Sequence, residues 1–242
     1  MRRALPALLL LLASACASLP GREAANTPAE RVARTSYAAV VIGAPPLFGG
    51  LGSSVAIDDR HVITNAHVLR ISGLTVDEAI LVRDDGTRAT ARLVARSPRM
   101  DLAVLRMPDG FLAPASFSPR SPTRHEPVWA AGTTGLGPGV AVGKVVAPEA
   151  SLAGFGEGFT TRIGALMGYS GGPVVAGDGS VLGLTTALVS PGAAPVLAAL
   201  TGTDLQGLLA KDGRDVFVLG IGPALAEARR LIAEAEAVAP RP

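Results

Sequence analysis

Three short segments of this 242-residue chain hold residue types suited to nucleophilic attack on a carbonyl. In Gly168-Tyr169-Ser170-Gly171-Gly172-Pro173-Val174-Val175 a serine sits in a glycine-rich turn ahead of an apolar run. The glycines permit unusual backbone angles and close approach of a substrate, and backbone N–H groups beside the serine can point at a developing oxyanion. The segment Val62-Ile63-Thr64-Asn65-Ala66-His67-Val68-Leu69 puts a histidine just past an apolar strand-like run, where a general base could stand. Asp101-Leu102-Ala103-Val104-Leu105 opens another such run with a carboxylate. Taken singly, each has an ordinary reading. Most Gly-Ser-Gly-Gly stretches are only turns, an isolated histidine is most often a satisfied core residue, and an aspartate at this position usually caps a strand.

The elements that must position these residues read as strands. Short apolar or alternating runs, separated by Gly, Pro and Asp, cover 37–43, 53–58, 61–64, 79–83, 87–95 and 102–107. Further runs cover 128–132, 140–146, 159–163, 173–176, 181–189 and 215–221. Many short strands with regular turn signals argue for an all-β barrel or sandwich. No amphipathic helices stand between them, as a βαβ fold would require. One helix is expected, from Pro223 to about Val238, with Leu225, Ala228, Leu231, Ile232 and Ala235 on one stripe.

Together the segments resemble the chymotrypsin-fold serine proteases, and among them the bacterial HtrA/Deg-like branch. The order His67, Asp101, Ser170 is that fold's order, whereas subtilisin-like and α/β-hydrolase enzymes use others. Gly50-Leu51-Gly52-Ser53-Ser54-Val55-Ala56-Ile57 is similar to the family's first glycine-rich strand. Val181-Leu182-Gly183-Leu184-Thr185-Thr186-Ala187 is similar to its substrate-lining strand, and Leu219-Gly220-Ile221-Gly222 to the end of its protease domain. The resemblance runs from about residue 37 to 232 and implies a two-lobed pair of six-stranded β-barrels with a C-terminal α-helix, here bounded as 36–238. It implies Ser170 as nucleophile, His67 as base and acid, Asp101 as its orienting partner, and the N–H groups of Gly168 and Ser170 as oxyanion hole. It also implies an S1 pocket lined by Gly164, Ala165, Thr186, Ala187 and Leu188. None of those five is acidic, so a small or medium apolar P1 residue is expected rather than Arg or Lys. Tyr169 departs from the family's usual Asp or Asn before the nucleophile. It cannot form the ion pair that follows zymogen cleavage, and its ring must find room in a tight turn. The connection 190–214 is unusually long, with a short helix expected at 204–210 and a place beside the S1 wall. No room for a PDZ domain is expected after the protease domain, and no N-terminal trimerising segment of the HtrA kind is identifiable, so no oligomeric state is assigned.

The N-terminus reads as export machinery. Arg2 and Arg3 precede an apolar stretch, 4–12, too short to span a bilayer of ~30 Å, so residues 1–15 are expected to be a signal peptide. Leu12-Ala13-Ser14-Ala15-Cys16 resembles a bacterial lipoprotein signal, with Cys16 as lipidation site and 16–35 as a lipidated, flexible linker. The alternative is an ordinary secretory signal cut after Ala15 or Ala17. The expected location is the bacterial cell envelope, anchored through Cys16, or else secreted or periplasmic and soluble. Setting Arg2 and Arg3 aside leaves 20 basic and 20 acidic residues, a balance that excludes a phosphate-binding excess and hence a nucleic-acid partner. A single cysteine excludes an internal disulfide and any Cys-cluster metal site. His61 and His125 read as exposed and Trp129 as core, so neither a metal nor another cofactor is expected, and the partners are protein or peptide substrates. The competing function is a catalytically silent peptide-binding or scaffold protein on the same fold.

Overall fold

Apolar runs such as Val62-Ile63 and Leu102-Ala103-Val104-Leu105 are buried on both faces of their strands, and the reason lies in how two barrels share the chain. In the computed structural model, which describes residues 27–44, 48–71, 73–134, 137–188 and 214–238, six strands close each barrel. The first contains β1 (Tyr37–Ala44), β2 (Phe48–Ala56), β3 (His61–Thr64), β6 (Glu78–Val82), β7 (Arg88–Arg96) and β8 (Ala103–Arg106), in the order β1-β2-β3-β8-β7-β6. The second contains β9 (Pro127–Thr134), β10 (Gly137–Leu152), β11 (Gly156–Ile163), β12 (Pro173–Val175), β13 (Val181–Leu188) and β14 (Arg214–Gly220), in the order β10-β11-β14-β13-β12-β9. A two-residue pair, β4 (Arg70–Ile71) and β5 (Leu74–Thr75), sits beside the first barrel's loops. The expected all-β pair of six-stranded barrels is the observed fold.

Strand alternation sends one face into a barrel and the other into the seam between barrels. Ala38, Val40, Ala56, Val62, Ala103 and Leu105 fill the first barrel, while Val128, Ala130, Val174, Val216 and Val218 fill the second. Their neighbours Val55, Ile63, Val104, Val175, Phe217 and Leu219 point the other way and form one shared core. Alanine and valine suit the narrow interiors of small barrels, which accounts for an aromatic content of only 4%.

Two helices complete the seam. The second, α2 (Ile221–Val238), begins two residues before the expected start and buries Ile221, Ala224, Ala228 and Leu231 there. The first, α1 (Pro28–Thr35), corrects the reading of a flexible linker for residues 28–35. Thr27 Oγ1 accepts the Glu30 N–H at 3.2 Å and Glu30 Oε2 accepts the Thr27 N–H at 2.8 Å, a capping box that starts the helix. Ala29 and Val32 then bury against the shared core, so this stretch is docked. No helix among the described residues is long and apolar enough to cross a membrane.

Candidate active site

Strand β3 ends at Thr64, Asn65 stays extended, and a single 3-10 turn, Ala66–Leu69, presents His67 with its side chain 40% exposed. Asp101 lies two residues before the start of β8 and is buried. Its Oδ2 stands 2.5 Å from His67 Nδ1 and its Oδ1 accepts the His67 backbone N–H at 2.9 Å. The carboxylate thus holds the imidazole through Nδ1 and the backbone that carries it, leaving Nε2 as the ring nitrogen that Asp101 does not engage. Asn65 braces the pair: its Nδ2 donates to Asp101 O at 2.9 Å and to Thr186 Oγ1 at 3.1 Å. Thr186 in turn donates to Leu184 O at 2.9 Å, so a chain of hydrogen bonds runs from the histidine turn of the first barrel to β13 of the second.

The serine turn is set by two left-handed glycines. Gly168 has φ +98° and Gly171 φ +83°, and a Cβ at either would run into neighbouring backbone, Thr133 O at the first and Ser53 O at the second. Within the turn the N–H groups of Tyr169, Gly171 and Gly172 donate to Leu166 O, Thr185 O and Tyr169 O at 2.8–3.1 Å. Those of Gly168 and Ser170 donate to no backbone carbonyl among the described residues, so these two donors stand available. From the first barrel, the Ser53 N–H donates to Ser170 O at 2.8 Å, which seats the turn on β2. No Ser170 Oγ–His67 hydrogen bond is formed among the described residues, a contact that in hydrolases commonly tightens only with substrate present. The ring of Tyr169 is accommodated by subtraction: Gly132 and Gly139 are cross-strand partners on β9 and β10, and a Cβ at Gly132 would collide with the ring.

Residues 52–184, more than half of the chain, match the model of the trypsin-like peptidase domain, and the match contains His67, Asp101 and Ser170. The chain belongs to the trypsin-like peptidase family. Its similarity falls on the HtrA/DegP-like branch. A probable periplasmic serine endoprotease, DegP-like, of Brucella suis biovar 1 (strain 1330) is 35% identical over 152 residues, which is 60% of this chain and 29% of that protein. Its namesake of Rhizobium meliloti (strain 1021) is 32% identical over 167 residues, covering 64% and 32%. The chain therefore spans about a third or less of these relatives' length. Among solved structures, an HtrA-type protease AlgW with tripeptide superposes with TM-score 0.66 at 24% identity, over 86% of this chain and 63% of that one. The active form of the Rv3671c protease from M. tuberculosis gives 0.66 at 20% identity, over 90% and 87%. At these identities the superpositions speak for the fold.

The other residues expected at a trypsin-like site are placed unevenly. Gly164 faces open space, with nothing within 4 Å of where a Cβ would stand. Ala165 turns its side chain into the second barrel's core, and its carbonyl accepts from Arg214 Nη2 at 2.7 Å. The Thr186 hydroxyl is engaged with Asn65 and Leu184. The side chains of Ala187 and Leu188, the connection 190–214 up to residue 213, and Cys16 lie outside the described residues. His61, expected to be exposed, is buried, because the Asp58 carboxylate accepts its backbone N–H at 2.7 Å and approaches Nδ1 at 2.9 Å, folding the ring into the β2–β3 hairpin. His125 is exposed, and Trp129 is half-buried against the shared core. No cluster of metal-ligating side chains occurs among the described residues. Reading along the chain missed Ser53 and Asn65. An Asn two residues before the candidate base was visible, but serine and asparagine are too common for type alone to mark them.

Proposed function

We propose that this chain is an exported serine endopeptidase. The observation that carries the reading is the double grip of Asp101 on His67 beside a serine turn docked on the first barrel. In the proposed reaction Ser170 Oγ attacks the scissile carbonyl while His67 Nε2 takes its proton. The resulting imidazolium is stabilised by Asp101, and the proton passes to the leaving amine as the acyl-enzyme forms. The N–H groups of Gly168 and Ser170 face the oxyanion. Water then repeats the cycle on the ester. The absence of an acidic side chain among the expected pocket residues supports a small or medium apolar P1 residue, and a peptide-library profile dominated by Arg or Lys would refute that.

Labelling with an alkyl fluorophosphonate tests the central reading: modification at Ser170 in the wild type, and none in Ser170→Ala or His67→Ala, is the expected result. Equal turnover of a casein substrate by wild type and Ser170→Ala would overturn it in favour of a silent binding protein. For the envelope, the DegP-like relatives are named as periplasmic, and the Arg2–Arg3 leader ahead of Cys16 supports export with a lipid anchor. Cys16→Ser should move the protein from the membrane to the soluble fraction, and retention in the membrane would exclude lipidation at that residue.

A further inference from the structure

Ser53, a fully buried serine of β2, touches the candidate oxyanion turn twice. Its backbone N–H holds Ser170 O at 2.8 Å, and its hydroxyl donates to Gly168 O, also at 2.8 Å. The same Oγ accepts the Thr133 N–H at 3.2 Å and lies 3.3 Å from the Tyr37 hydroxyl, which must donate, since the serine proton is already committed to Gly168. One side chain of the first barrel therefore bonds a turn 115 residues away and a strand end 80 residues away, both in the second barrel.

We infer that the Ser53 hydroxyl is a positioning group for catalysis, acting through the peptide plane between Gly168 and Tyr169. This rests on the reading of Ser170 as nucleophile and of the Gly168 and Ser170 N–H groups as oxyanion donors. That plane is held at both edges: its carbonyl by Ser53 Oγ, its N–H by Leu166 O at 3.1 Å. The plane links the two donor N–H groups, so its rotation, a change in ψ at Gly168 or φ at Tyr169, alters the angle between them and spoils their convergence. Gly168, at φ +98°, has no side chain to resist that rotation. The resistance has to come from outside the turn, and the buried hydroxyl supplies it. Removing it leaves the Gly168 carbonyl and the Thr133 N–H without a protein partner in a buried setting, which favours a turned plane that finds other partners.

The test compares Ser53→Ala with Ser54→Ala. Ser54 is the next residue, equally buried, but its Oγ donates to Ala38 O at 2.9 Å inside the first barrel, away from the turn. Three quantities are read on the full chain: the second-order rate of fluorophosphonate labelling as a function of pH, amide hydrogen exchange at Tyr169, and the melting temperature. Ser53→Ala is expected to slow labelling on the order of tenfold to hundredfold, a part of what losing an oxyanion donor outright costs. The loss should be uniform in pH, because the His67–Asp101 pair is untouched, and Tyr169 exchange should accelerate about tenfold or more. Ser54→Ala should leave labelling and Tyr169 exchange within about twofold of wild type, even where its melting temperature falls as far. If Ser53→Ala does not fold, Ser53→Cys, which keeps a weaker donor in a similar volume, should show the same changes at smaller size. Labelling and Tyr169 exchange unchanged in the Ser53 variant, or equally changed in Ser54→Ala, would overturn the assignment. Failure of the wild type to label would instead sink the nucleophile reading, while Tyr169 exchange would still decide whether Ser53 holds the turn.

Discussion

Tyr169 stands directly before the proposed nucleophile, where a bulky ring in a tight turn needs a place to go. The place is made by Gly132 and Gly139, opposite each other on β9 and β10, and burial in this slot pushes the phenol up to about 12. The ring is therefore neutral across the physiological range and fills space instead of forming an ion pair, so it ties the turn to the second barrel's core without any new chain terminus. Gly132→Ala should force the ring out. The expected result is a destabilisation of about 1–3 kcal/mol, typical of overpacking, in denaturant melts, together with slower fluorophosphonate labelling. Full labelling with a displaced ring would show that the turn stands without it. At Ser170 itself, replacement by alanine should lower peptide turnover on the order of 10⁶-fold if serine, histidine and aspartate act as a unit, measured against a background with His67 also replaced. The double variant should be scarcely worse than the single one.

At the scale of elements, the C-terminal helix does more than cover the seam. Glu227, buried on α2, accepts Ser97 Oγ at 2.6 Å, and Ser97 Oγ itself accepts the N–H groups of Arg99 and Met100 at 3.0 and 3.2 Å. That turn leads directly into Asp101, so α2 anchors the segment that aims the carboxylate at His67. Arg230 bonds Glu227 at 2.7 and 2.9 Å, and Arg99 approaches at 3.6 Å. The Arg230 guanidinium is the main reason the Glu227 carboxyl is held down at about 2; burial opposes it, while Ser97 and Arg99 add to it. A carboxyl depressed in the folded state contributes stability that is complete above its ordinary value of 4.5 and is lost as pH falls from there toward about 2. The melting temperature of the wild type should therefore drop through that window, and Glu227→Gln should show a smaller drop from a lower starting point. Parallel curves for the two proteins would refute the assignment. At pH 7 Glu227→Gln should also slow Ser170 labelling through the Asp101 turn. At the other end of the fold, Thr27→Ala removes the side-chain half of the α1 capping box and should cost about 1 kcal/mol, read from the denaturant midpoint.

For the molecule as a whole, the shared core decides whether two barrels make one site. His67 and Asp101 belong to the first barrel and the Ser170 turn to the second, and the seam between them packs Ile63, Val104, Val175, Phe217 and Leu219 with both helices. Truncating a seam residue should therefore damage stability and chemistry together, whereas truncation inside one barrel should damage mainly stability. Phe217→Ala, at a site 1% exposed, is expected to cost about 3–5 kcal/mol and to slow labelling in the fraction that remains folded. Leu81→Ala, inside the first barrel, is expected to cost about 2–5 kcal/mol with labelling of the folded fraction near wild type. Circular dichroism melts paired with labelling kinetics separate the two cases.

The division of the strands into two six-stranded barrels was implied by the family resemblance. What the linear order of residues determined on its own was the set of candidate residues, the strand-forming runs and the place of the final helix. Those follow from short-range physics: apolar alternation marks strands, glycine marks turns, and the order His67, Asp101, Ser170 restricts the fold that could join them. The start of α1 was also written locally, in Thr27-Pro28-Ala29-Glu30, although eight residues are too few for a periodic stripe to show. Only the tertiary structure decided which ordinary residues serve the site. Ser53, Asn65 and Glu227 are common polar types whose partners lie 115, 121 and 130 residues away, and no local pattern encodes such distances. Burial of His61 and the slot for Tyr169 were likewise decided by what packs around them, because a side chain's environment comes from strands far along the chain that barrel closure brings together.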